Sequence, residues 1–168
     1  MKRLLMITAL FCCALIQAMS PAWAGMGQAK PPLLLGVVLF YALSRDGSIV
    51  LECAVVAGLL QDSLGPIPHG FSVGAFLTAA LLINQYRDRL FAEHWFTHAT
   101  LGVAASAWVS LFLYVTLVST GLRSGVQFSF VMSKALGMSL MGMIFIPIIY
   151  YVIQHLEVQL GLQPMKEI

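Results

Sequence analysis

Charge is what this sequence has least of. Of 168 residues only nine are Lys or Arg and seven are Asp or Glu, a charged share of 10% against 60% hydrophobic. An ordinary soluble domain carries about 25% charged and about 45–50% apolar residues, so a water-soluble globule is excluded at the outset. The few charges are also unevenly placed. Residues 4–29, 63–86, 94–122 and 135–156 contain none, and each run is long enough to cross a bilayer as a helix, which takes about 20 residues. A net charge of +2 from scattered residues leaves no basic stripe, and aromatics are not interleaved with Lys or Arg, so nucleic-acid binding has no support.

Cysteine is scarce as well. Cys12, Cys13 and Cys53 are odd in number and sit inside apolar runs, which argues against a disulfide framework or a zinc site and for small buried apolar residues. Phe11 before Cys12 is too large for a lipoprotein attachment site. Catalytic constellations are missing too: Ser63, Ser72, Ser106 and Ser110 have no G-x-S-x-G setting. His94 and His98 have the i, i+4 spacing of a metal pair beside Glu93, but the sequence offers no evident third ligand. No catalytic residue, cofactor or metal is therefore expected. With the longest connection at about 24–31, there is no room for a domain outside the membrane.

What is present is helix. Hydropathy punctuated by Gly and Pro predicts an all-α integral membrane protein, one transmembrane domain over 1–168 with helices at about 4–23, 32–44, 48–64, 71–86, 94–120 and 128–156. The second rises only about 20 Å, short of the ~30 Å hydrocarbon core, and must lie beside longer neighbours or borrow from its flanks. The sixth exceeds a perpendicular span, and Pro147 inside it should bend it. Alternate loops put Lys2, Arg3, Arg45, Arg87, Arg89 and Lys166 on one side and Lys30 and Arg123 on the other, which makes the first side and both termini cytoplasmic. Trp23, Trp95, Tyr150 and Tyr151 fall where an aromatic belt is expected.

The first helix has two readings. Lys2 and Arg3, the apolar stretch after them, and Ala22-Trp23-Ala24 before Gly25 imitate a secretory signal with its cleavage site. The stretch to Trp23 also spans the core, and retention as a helix is the expectation. The orientation of the other five helices is the same either way.

A charge at bilayer depth costs about 2.5–3.5 kcal/mol or more on insertion scales, so each one needs a reason. Two qualify, Glu52 and Asp62, both on the third helix. Ten residues apart, they stand about 15 Å and roughly 80° of azimuth from each other, too far to act on one atom. Glu52 is about one turn from the cytoplasmic end and is expected to snorkel towards Arg45 or the headgroups. Asp62 is the informative residue. It opens Asp62-Ser63-Leu64-Gly65-Pro66-Ile67-Pro68-His69-Gly70 at the negative end of its helix, where a carboxylate is disfavoured. Gly65 is expected to end that helix in the left-handed conformation, Pro66 and Pro68 to forbid its continuation, and Gly70 to open the next. The Asp62 carboxylate is then expected to accept hydrogen bonds from N–H groups near 71–73, tying the third helix to the fourth. Ala54, Gly58 and Asp62 share one face, and Gly70 and Gly74 form a G-x-x-x-G. Such small-residue faces let backbones approach, within the fold or against a partner helix.

These residues resemble a known family. Lys30-Pro31-Pro32 before a short apolar helix, Tyr41-Ala42-Leu43-Ser44-Arg45 closing it, Ala57-Gly58-Leu59-Leu60-Gln61-Asp62 with Gly70 eight residues on, and Tyr86-Arg87-Asp88-Arg89-Leu90-Phe91 are similar to the rod shape-determining protein MreD family. Leu64-Gly65-Pro66 departs from the Ser-Gly pair usual there, which puts a role for that serine in doubt. The resemblance implies a non-enzymatic component of the bacterial inner membrane, working with MreC, through it with MreB filaments, and with the glycosyltransferase and penicillin-binding transpeptidase of lateral peptidoglycan synthesis. It also implies a fold like that of the membrane substrate-binding subunits of energy-coupling-factor transporters. The expected activity is helix docking in the lipid bilayer, at a motif of Asp62, Gly58, Gly65, Pro66, Pro68, Gly70 and Gly74. The competing expectation, a substrate-capture subunit of a small-molecule transporter, would need polar groups at midplane depth, whereas Asn84, Gln85, Gln127 and Gln154 lie near helix ends.

Overall fold

The computed structural model describes residues 2–23, 28–44, 47–65, 70–87, 95–121 and 128–161. They form α1 (Lys2–Met19), α2 (Leu33–Ser44), α3 (Gly47–Ser63), α4 (Phe71–Tyr86), α5 (Trp95–Ser119) and α6 (Phe128–Gln159). The fold is an all-α membrane bundle. α5 and residues Val131–Gln159 of α6 are each long and apolar enough to cross a membrane unaided.

The centre belongs to the shortest helix. α2 is apolar on every side and buries everything from Leu33 to Ala42, the pattern of a helix enclosed by others. It packs against α1, α3, α4 and α6 and touches α5. At about 18 Å it could not span alone, and the enclosing helices are what carry it. Leu34, Phe40 and Tyr41 meet Leu10 of α1, Val50 and Cys53 of α3, Phe76 of α4 and Tyr150 of α6 in one core.

Around it, glycine sets the close approaches. At Gly102 of α5 a Cβ would lie 2.6 Å from the Gly142 carbonyl oxygen, and at Gly142 of α6 one would press into Ser106 Oγ and lie 2.8 Å from the Gly102 carbonyl. These two helices therefore touch backbone to backbone. The outer faces keep Leu111, Val115 and Val118 of α5 and Leu136, Leu140, Ile144 and Ile148 of α6 exposed, a surface suited to lipid and unsuited to water.

Helix ends differ from the sequence expectation where local chemistry intervenes. α1 stops at Met19, not Trp23, because the residue before Pro21 is pushed out of helical geometry. Trp23 instead exchanges bridge contacts with Ala29, its N–H donating to the Ala29 carbonyl at 3.1 Å. α6 continues through Pro147 and on to Gln159, three residues beyond the expected end.

Candidate functional site

The junction of α3 and α4 is built on Gly58. A Cβ there would fall 2.5 Å from Val73 Cα and 2.7 Å from Val73 N, so a bare glycine is what admits the first turn of α4 against the last turns of α3. Asp62, one turn further on the same face, is 1% exposed. Its Oδ2 accepts the Gly70 N–H at 2.7 Å and its Oδ1 accepts the Ser72 N–H at 3.1 Å. Gly70 is the N-cap of α4, at φ 105°, a conformation open to glycine, and it has no side chain with which to cap. Asp62 supplies that cap from the neighbouring helix, placing its charge at the positive end of the α4 dipole and offsetting its unfavourable place at the negative end of α3. The donors fall at Gly70 and Ser72, within a residue of the expected 71–73.

One expectation about this turn changes. The left-handed glycine is Gly70 and not Gly65. α3 closes instead by tightening, with the Leu64 N–H shared between the Leu60 and Gln61 carbonyls and the Gly65 N–H on the Asp62 carbonyl at 3.3 Å. Of the G-x-x-x-G pair, Gly70 meets nothing within 4 Å and Gly74 faces the Phe112 ring of α5 at 3.3 Å. Pro66 and Pro68 lie outside the described residues.

The neighbouring Gln61 ties the same turn to α1. Gln17, 4% exposed, donates through Nε2 to Gln61 Oε1 at 2.7 Å and accepts the Leu34 N–H on its Oε1 at 3.2 Å. Leu34 lies in the first turn of α2, behind Pro32, which has no capping side chain. Both short helices thus have an open first-turn amide met by a side chain from another helix. In lipid no water would otherwise serve it.

At the other end of the bundle lies a buried polar group that the sequence reading did not assemble. The His98 ring stacks on Tyr150, centroids 3.7 Å apart and 29° between planes, and Tyr150 meets Phe40 edge-on at 5.1 Å. The Tyr150 hydroxyl reaches the Ser44 side chain. Tyr150 is therefore a core residue and not part of an aromatic belt, because it lies on the inward stripe of α6 with Ile146, Ile149 and Ile153. Glu157, seven residues further on that stripe, is 0% exposed. Ending the helix at 156 hid it. The i+3 and i+4 spacing of that stripe is the signal that would have found it. His94 and Glu93 lie outside the described residues, and among those described no three His, Cys, Asp or Glu come together as metal ligands.

Glu52 has a partner that the sequence expectation did not name. Its Oε1 accepts from Arg3 Nη2 at 2.9 Å, joining α3 to the start of α1. Arg45 lies outside the described residues.

The family model for rod shape-determining protein MreD matches residues 1–157. No curated protein and no solved structure matches the chain.

Proposed function

Since the chain belongs to the rod shape-determining protein MreD family, with a role in rod-shape determination, we propose that it acts as a non-enzymatic scaffold of the elongation machinery in the bacterial inner membrane. In this reading it holds the transmembrane helix of an MreC-like single-pass protein against α3 and α4. Through that partner it reaches MreB filaments and the glycosyltransferase and penicillin-binding transpeptidase of lateral wall synthesis.

The observation that carries the reading is the Asp62 lock. It makes α3 and α4 one rigid pair while leaving Leu59, Leu81 and Leu82 exposed on their outer faces. A protein whose connections are all short recognises partners through such faces, by packing and a few interhelical hydrogen bonds. Co-purification in mild detergent, followed by mass spectrometry, is expected to recover an MreC-like single-pass protein. Leu81→Trp and Leu82→Trp are expected to reduce that recovery without lowering the melting temperature. Recovery of an ATPase module instead would move the protein to the transporter class. Both termini are placed in the cytoplasm on the Lys and Arg distribution. A C-terminal alkaline phosphatase fusion should then be inactive and a C-terminal fluorescent protein bright.

A further inference from the structure

Between α1 and α3 runs a shallow, largely open trough of about 450 Å³. Met6 and Ile7 form one wall and Leu51, Val55 and Val56 the other, and the Arg3–Glu52 ion pair borders it. The lining is otherwise apolar. The side chains of Arg3 and Glu52 remain 67% and 42% exposed. A guanidinium has five N–H donors and a carboxylate about four acceptor sites, so one bond between them leaves most of their capacity facing outward.

We propose that this trough binds one aminophospholipid from the surrounding leaflet, with its phosphate on Arg3, its primary ammonium on Glu52 and an acyl chain along the apolar walls. Three features select that occupant. The trough calls for a long apolar tail, and the paired charges call for a head carrying a negative group beside a positive one. A purely anionic head would satisfy Arg3 and be repelled by Glu52. A quaternary ammonium has no N–H for the carboxylate, whereas a primary ammonium has three. The depth also fits, since Arg3 stands at the start of α1 and Glu52 within two turns of the start of α3. On the charge distribution both face the cytoplasmic headgroups.

The test is native mass spectrometry of the delipidated full chain in detergent, titrated with equimolar phosphatidylethanolamine, phosphatidylglycerol and phosphatidylcholine. Phosphatidylethanolamine adducts are expected to exceed either competitor by about fivefold, the scale of one exposed ion pair. Glu52→Gln should shift the preference to phosphatidylglycerol, and Arg3→Gln should weaken retention of both phosphatidylethanolamine and phosphatidylglycerol. Leu51→Trp, which fills the trough, should abolish the adduct at an unchanged lipid-free melting temperature, and Ile7→Trp on the opposite wall provides the same readout if that variant does not fold. Equal retention of the three lipids, a preference indifferent to Glu52→Gln, or competition by glycerophosphoethanolamine as strong as by the intact lipid would each overturn the assignment. None of these outcomes depends on MreC-like binding.

Discussion

A buried carboxylate between two helix ends is stable only while both of its oxygens are occupied. Asp62 meets that condition with the Gly70 and Ser72 amides, and hydrogen bonds to charged groups contribute about 1.5–3 kcal/mol each at most. Asp62→Ala is expected to destabilise the protein by about 2 kcal/mol, read as a fall of about 4–8 °C in the melting temperature of detergent-purified protein. Asp62→Asn should lose a comparable amount, because its amide nitrogen turns a donor towards a donor. A melting temperature unchanged in both would show that the two bonds do not hold the junction. Gln17→Ala removes the acceptor from Leu34 and the donor to Gln61 together and should cost about 1–3 kcal/mol in the same assay. Asp62 was legible in the sequence because it is a lone charge before a run of glycine and proline. Gln17 was not, since an uncharged amide carries no hydropathy alarm. The Arg3 partner of Glu52 lies 49 residues away, beyond anything that periodicity within one helix can report.

Helix contacts distinguish glycines that the sequence presents alike. Gly102→Ala would drive a Cβ to 2.6 Å from a backbone oxygen of α6, and such overpacking costs about 1–3 kcal/mol. Gly74→Ala meets only the edge of the Phe112 ring at 3.3 Å, so thermal unfolding should separate the two, with the Gly102 variant clearly the weaker. Equal melting temperatures would mean that α5 and α6 can slide apart freely. Element existence and order were readable from hydropathy, and the ends of α4 agree residue for residue with the expected 71–86. The end of α1 was readable in principle from Pro21. Which glycine faces backbone and which faces a ring was not, because that depends on the partner helix.

For the molecule as a whole, the first helix is a structural member: Met6, Leu10, Ala14 and Gln17 are buried against α2 and α3. Intact-mass measurement of the purified, C-terminally tagged protein is therefore expected to include residues 1–23. A mass beginning at Gly25 would show that the bundle stands without α1. Length and hydropathy mark α2 as a short apolar segment that needs longer neighbours or its flanks, and do not say which neighbours those are. The packing supplies them: α1, α3, α4 and α6 surround the helix least able to span. The borrowed caps carry a last implication, for synthesis. Gln17 precedes Leu34 in the chain and Asp62 precedes Gly70 and Ser72. As the ribosome delivers the chain from its N-terminus, each acceptor emerges before the amide that it will serve, so neither short helix has to enter the bilayer with its first turn unmet.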